Sequence, residues 1–147
     1  MTASLEEYLK TIYILINKKG SARVTDIACE LSCTKPSVNR ALKLLKEDEL
    51  IKYEAYKDIE LTNKGITFAK DIVRKHDTLK AFLVEVLKVE PLKAEDEAKL
   101  MKHAISEDTV KRLEQYIQTI IDVDKFACNY NPNNEKCKKC KKKLFNN

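Results

Sequence analysis

Apolar residues recur at helical spacing from the start of the chain. Leu5, Leu9, Ile12 and Ile16, with Tyr8, Tyr13 and Leu15 beside them, share one side of a first helix. Lys18 and Lys19 sit in its last turn, facing the negative end of the helix dipole, and Gly20 stops it. A shorter helix carries Val24, Ile27, Ala28 and Leu31 on one face. The polar stretch Leu31-Ser32-Cys33-Thr34-Lys35 is a tight turn that leads into a third helix. Thr34 is placed to cap that helix, and Pro36 lies in its first turn, where a missing N–H costs little. Val38, Leu42 and Leu45 form the buried side, and the helix ends near Glu49.

The period then changes. Ile51/Tyr53 and Ile59/Leu61 alternate with charged residues, as two short strands would, with Lys57-Asp58 at the turn between them. Two short helices, a tight turn, a third helix and a hairpin make a winged helix-turn-helix pattern. In that geometry the third helix enters the DNA major groove and the hairpin lies along the flanking phosphates. After the cap signal Thr62-Asn63, a long helical pattern runs through Ile66, Ala69, Ile72, Val73, Leu79, Phe82, Leu83, Val86 and Leu87, with Pro91 expected to end it. Two more helices follow, over Ala94 to Ile105 and from Ser106-Glu107-Asp108 through Val110, Leu113, Ile117, Ile120 and Ile121. These helices carry more apolar surface than one small unit can bury, and a symmetric dimer is the usual way to cover it. The predicted fold class is mostly α: an N-terminal winged helix-turn-helix domain over 1–75, an all-helical dimerisation domain over 76–125, and a Cys/Lys-rich tail over 126–147.

Composition agrees with this reading. With 2 Gly and 3 Pro in 147 residues, the chain lacks the turn residues of a β-sandwich and the glycine loops of a dinucleotide-binding fold. No apolar run approaches the roughly 18 residues of a membrane span, and MTASLEEYLK carries no secretory apolar core. A soluble, cytoplasmic protein with no membrane partner is expected. Net charge is +3 over 1–75, −3 over 76–125 and +5 over 126–147, which points to a polyanion partner for the two ends. No nucleophile–base–acid set or phosphate loop is present, so the reading is not that of an enzyme.

Thr34, Lys35, Ser37, Asn39, Arg40 and Lys43 fall on the exposed side or at the N-terminus of the third helix. Hydroxyls and a helix N-terminus suit phosphates, whereas Arg and Asn have the chemistry to read guanine and adenine edges. Arg23 and the wing residue Lys57 are candidates for backbone contact. For any one of these, the plain alternative is a solvated surface residue.

The chain resembles the DtxR/MntR family of metal-dependent transcriptional repressors. The matching stretches are Ser4-Leu5-Glu6-Glu7-Tyr8-Leu9-Lys10-Thr11-Ile12-Tyr13, Ala22-Arg23-Val24-Thr25-Asp26-Ile27-Ala28, Lys35-Pro36-Ser37-Val38, Leu61-Thr62-Asn63-Lys64-Gly65 and His103-Ala104-Ile105-Ser106, in order from about residue 4 to 120. The resemblance implies a homodimeric repressor on double-stranded operator DNA, in the short two-domain form, with Thr34, Pro36, Ser37 and Arg40 near the operator. It also implies Mn(II) or Fe(II) sensing through ligands at Glu7, Lys10, His76, Lys99, Lys102 and His103. Glu7, His76 and His103 match that set. Lys10, Lys99 and Lys102 stand where ligands are expected, and a protonated lysine has no lone pair to give. Three readings stay open: ammonium groups that replace the metal by pairing with Glu7 or Glu6, a reduced site on Glu7, His76 and His103, or a dead pocket with structural histidines.

Of the five cysteines, Cys29 and Cys33 flank the helix-turn-helix turn, with Cys29 expected in the core. Cys128-x8-Cys137-x2-Cys140 lies beyond the resemblance, and its spacing suits Zn(II) or an Fe–S cluster that needs a fourth ligand from elsewhere. Redox sensing and a plain lysine-rich tail are the alternatives. The leading expectation is a sequence-specific DNA-binding repressor whose metal response is lost or altered. A regulator working through redox, zinc or Fe–S chemistry at the tail, and a winged-helix protein-interaction module, are its rivals.

Overall fold

The computed structural model describes residues 1–120. Cys128, Cys137 and Cys140, with the tail expectation built on them, lie outside the described residues. The elements run α1 (Ala3–Lys19), α2 (Val24–Glu30), α3 (Lys35–Glu47), β1 (Ile51–Lys52), β2 (Glu60–Leu61), α4 (Asn63–Ala81) continued by a π-helical segment (Phe82–Val86), α5 (Pro91–Ala104) and α6 (Glu107–Ile120). They divide into two compact units, Met1–Val73 and a second that begins at Arg74. Among the described residues no helix is long and apolar enough to cross a membrane.

The first unit follows the periodicity of its sequence. Leu9, Ile12, Leu15, Ile27, Val38, Leu42 and Leu45 form its core with Leu50, Ile51, Ile59, Ala69 and Ile72. Gly20, at φ +83°, donates to the Ile16 carbonyl and ends α1 in a conformation that costs a residue with a Cβ roughly 1–2 kcal/mol. Thr34 Oγ1 accepts from the Ser37 amide at 3.4 Å, which caps α3 as expected. Leu50 N–H donates to the Leu45 carbonyl and Glu49 takes φ +57°, so α3 closes on a Schellman-type turn without glycine.

The wing differs in detail from the sequence reading. Its strands are two residues each, antiparallel, with Ile51 opposite Leu61 and Lys52 opposite Glu60. The tight turn is Glu54-Ala55-Tyr56-Lys57, closed by Lys57 N–H to the Glu54 carbonyl at 3.1 Å, so it falls before Lys57-Asp58. Tyr56 takes φ +65° and is fully exposed. Charged residues on both sides of the turn make alternation a poor guide to where the chain reverses. Ile59 N–H donates to the Ala22 carbonyl at 3.1 Å, which ties the returning arm to the segment before α2.

In the second unit, Leu79, Leu83, Ala94 and Ala98 form the core, with Val84, Val89, Met101, Ile105 and Leu113 packed on it. Pro91 does not end the long helix. That helix closes through Leu87 N–H to Phe82 O and Val89 N–H to Leu83 O, with Lys88 at φ +56°. Pro91 instead opens α5, where it lacks only an N–H that would have had no helical partner, and Glu90 caps the helix by accepting from the Leu92 and Lys93 amides at 3.1 and 3.0 Å. Ser106 Oγ accepts from the Thr109 amide at 3.3 Å and caps α6, with Glu107 and Asp108 in the first turn.

Gly65 on α4 lies so close to Leu50 that a Cβ there would sit 1.9 Å from the Leu50 carbonyl oxygen. Backbone cannot swing aside as a side chain can. Gly65→Ala is therefore expected to destabilise the protein by about 1–3 kcal/mol or more, read as a fall in Tm in a circular-dichroism melt; an unchanged Tm would show that this contact relaxes freely.

Candidate nucleic-acid surface and ionic cluster

Helix α3 presents its buried and exposed sides as the spacing predicts. Val38, Ala41, Leu42 and Leu45 are buried, while Thr34, Lys35, Pro36, Ser37, Asn39, Arg40 and Lys43 are exposed. The Thr34 and Ser37 hydroxyls lie 2.9 Å apart beside the first turn of the helix. Asn39 Oδ1 accepts a hydrogen bond from the Tyr53 hydroxyl at 3.4 Å, and Lys46 Nζ donates to the Tyr53 carbonyl at 2.9 Å, so the outgoing arm of the wing is strapped to α3. Arg23 Nε donates to Asp58 Oδ1 at 2.9 Å, which straps the returning arm to the start of α2. Lys57 pairs with Glu54 across the wing turn. Lys35, Arg40 and Lys43 make no ion pair among the described residues, which leaves three cationic heads on α3 open to an outside anion.

The two cysteines of this unit are free thiols, and Cys29 is exposed, contrary to the expected core position. Its neighbour on the helix, Ala28, packs on the core instead. Cys33 is half-buried, and its sulfur accepts from the Tyr8 hydroxyl at 3.6 Å. The Tyr8 pKa is raised, first by that hydrogen bond and then by burial.

The candidate metal residues fall in both units. In the first, Glu7 is half-buried and Lys10 is buried. In the second, His76 on α4 is buried at 3% exposure, Lys102 on α5 is buried at 7%, and His103 is exposed. Lys99 Nζ lies 3.9 Å from Asp96 Oδ1. The structure brings His76 to a residue that the sequence reading passed over: its Nε2 lies 2.9 Å from Glu95 Oε1 on α5. The other oxygen of Glu95 lies 2.7 Å from Lys80 Nζ. Immediately before His76 on α4, Arg74 pairs with both Glu107 and Glu114 of α6, and Lys75 Nζ reaches Glu107 at 2.9 Å. Thr78 Oγ1 also donates to Glu114 at 3.2 Å. The only advance sign of Glu95 was its place four residues before Lys99 on the same helix face, which does not name a partner on α4.

These contacts set the local pKa values. Burial pushes the Glu95 carboxyl up, but the Lys80 hydrogen bond and the His76 charge outweigh it and hold the group at about 2. Glu107 is also lowered, first by the Lys75 hydrogen bond, against a smaller effect of burial, with Arg74 adding to the fall. As a donor set for a divalent ion, the second unit is a poor fit. Its buried imidazole is bonded to a carboxylate that an ammonium already neutralises, and a buried lysine stands beside His103 in the chain.

The fold and the α3–wing surface define a winged-helix DNA-binding transcriptional regulator. Residues 1–59 match the family description "Iron dependent repressor, N-terminal DNA binding domain", and residues 62–121 match "Iron dependent repressor, metal binding and dimerisation domain". The HTH-type transcriptional regulator MntR of Bacillus pumilus (strain SAFR-032) is 35% identical over 123 residues, covering 84% of this chain and 85% of the relative. MntR of Bacillus subtilis (strain 168) is 35% identical over 117 residues, covering 80% and 82%. Among solved structures, that of the manganese regulator SloR superposes with a TM-score of 0.71 at 30% identity, covering 80% of this chain. This chain spans 55% of the SloR chain, so the similarity concerns about half of that protein. The chain belongs to the iron-dependent repressor family, the DtxR/MntR family, and is a DNA-binding transcriptional repressor.

Because Glu95 and Glu107 are both held below the usual carboxylate range, their ion pairs contribute stability above the unfolded value of 4.5, and that stability is lost as pH falls below it, for Glu95 down through about 2. Glu95→Gln is expected to lower Tm at pH 7 by about 2–8 °C, the equivalent of roughly 1–2 kcal/mol. The gap to the unsubstituted protein should narrow as pH falls below 4.5 and close only once pH has fallen through about 2. Melts recorded across that range check both statements.

Proposed function

We propose that the chain acts as a homodimer that binds double-stranded operator DNA in a sequence-specific way and represses transcription from it. Its place of work is the cytoplasm, and it catalyses no reaction. Residues 1–75 form the DNA-binding domain and 76–125 the dimerisation domain, followed by the 126–147 tail. The observation that carries this reading is the state of α3: Lys35, Arg40 and Lys43 are exposed and without intrachain ion pairs among the described residues, on a helix strapped to the wing by Tyr53. A helix held in this way can enter a groove without first giving up its own salt bridges. Thr34 and Ser37 at its N-terminus, with Arg23 and Lys57 at the edge, meet phosphates, Pro36 lies near the operator without donating to it, and Asn39 and Arg40 meet base edges.

Dimerisation is supported by the apolar side chains left at the surface of the second unit. Leu92 and Leu100 on α5 and Tyr116 and Ile120 on α6 are all at least half exposed. Covering them requires a further surface, and a second copy of the chain supplies one by symmetry. A repressor of this kind serves metal homeostasis or a related stress response, a reading supported by the family description that names metal binding and by the likeness to the manganese regulator SloR.

Selection from a random duplex pool, followed by fluorescence anisotropy, is expected to yield one enriched, dyad-symmetric sequence whose Kd rises steeply with salt. Sedimentation should return twice the 17.0 kDa chain mass. Arg40→Ala should weaken binding by about 1–3 kcal/mol and relax one position of the selected site, whereas Lys43→Ala should weaken all sequences alike. Unchanged binding by Arg40→Ala would remove α3 from the groove.

A further inference from the structure

The geometry points to a regulator whose second unit is cross-braced by the chain's own cations, so that it needs no divalent ion to bind DNA. The inference rests on the DNA-binding reading above for its functional consequence, but its structural content lies wholly within the second unit.

A divalent ion in a helical domain would do two things at once. It would neutralise carboxylates that packing has brought together, and it would tie the helices that carry them. In this chain a short stretch of α4 does both. Arg74 and Lys75 reach α6, where Arg74 pairs with Glu107 and Glu114 and Lys75 with Glu107. Lys80 reaches α5, where it pairs with Glu95. His76 binds the other Glu95 oxygen. Three carboxylates therefore face three basic side chains, Arg74, Lys75 and Lys80, and the pairs link α4 to both following helices.

An incoming divalent cation finds no uncompensated charge in this cluster. To take Glu95 through Oε1 and His76 through Nε2 it must break their 2.9 Å contact and bind a carboxylate whose other oxygen already holds the Lys80 ammonium at 2.7 Å, an ammonium only 18% exposed. Lys102, at 7% exposure, adds a further positive charge to the same unit. Repulsion between such an ammonium and a divalent ion is strongest where water is excluded. The region is nonetheless the one that matches a description naming metal binding. Fold and family are kept in this chain, while the charge that a metal would bring is supplied by side chains.

The test uses the full chain, stripped with EDTA and dialysed, with and without 1 mM Mn(II). Mn(II) is chosen because it favours O and N donors over the thiolates of the tail. One arm is a thermal melt without DNA. A site with Kd near 10 μM would shift the folding equilibrium about 100-fold at that concentration and raise Tm by several degrees. The expected shift is less than about 1 °C. The other arm is anisotropy on the selected duplex, where the Kd values with EDTA and with Mn(II) are expected to agree within about twofold. A Tm rise of several degrees, or a tenfold or greater gain in DNA affinity with Mn(II), overturns the inference. Failure to bind any duplex in either state overturns the DNA-binding reading instead, and the melt still decides whether the second unit takes the ion.

Discussion

The carbonyl of Leu50 is the point on which the first unit turns. It accepts from the Thr62 amide and the Thr62 hydroxyl, both at 3.1 Å, and Gly65 passes against it with no room for a side chain. Thr62 Oγ1 in turn accepts from the Gly65 amide at 3.0 Å, so the residue that clasps the end of α3 also caps α4. The wing is what lies between the two jaws of this clasp. Leu50 and Thr62 are held together, and the chain between them must leave and return as a hairpin, however short its paired strands are. Two-residue strands would not hold an isolated hairpin in water. Here closure at the base, the Tyr53 straps to α3 and the Arg23–Asp58 pair do the holding.

The second unit is organised differently. Its apolar core is small, built largely on Leu79, Leu83, Ala94 and Ala98. Two alanines on α5 let that helix approach closely but bury little area. Ion pairs around the core carry more of the burden of register than they would in a larger domain. Arg74, Lys75, His76 and Lys80 come from less than two turns of α4, and each meets a carboxylate on α5 or α6. Half-buried pairs of this kind cost much to break, because the remaining partner keeps its desolvation and loses its counter-charge. They therefore specify which helix faces which, even where their net contribution to stability is modest.

Most of the fold was legible in advance, and what was missed has a common cause. The helices, the Thr34 and Ser106 caps and the Gly20 stop depend on residues within a few positions of one another, so periodicity and cap chemistry were enough. The misreadings came where one residue type has two local uses. Proline ends some helices and opens others, and Pro91 opens α5 because Glu90 is there to cap it. Cys29 lies one position, about 100°, off the buried stripe of α2, and its expected burial followed the general habit of free cysteine and not that stripe. The exposed side of α3 was legible residue by residue, but the straps from Tyr53 and Asp58 were not, since they join positions 14 and 35 residues apart in the chain.

The candidate metal region divides along the same line. Sequence by itself determined that Lys10, Lys99 and Lys102 cannot act as ligands while protonated, because that is a property of the side chain and not of its surroundings. It also determined the two histidines and the surplus of charge around them. Only the tertiary structure decided what that charge does. Glu95 is one of several acidic residues on α5, and nothing in its neighbours marks it. Packing of α5 against α4 sets it between His76 and Lys80, and their pairing outweighs the burial that the same packing imposes and holds its pKa at about 2. Residue identity sets which charges exist, and the distances that decide whether they cancel arise only when the helices meet.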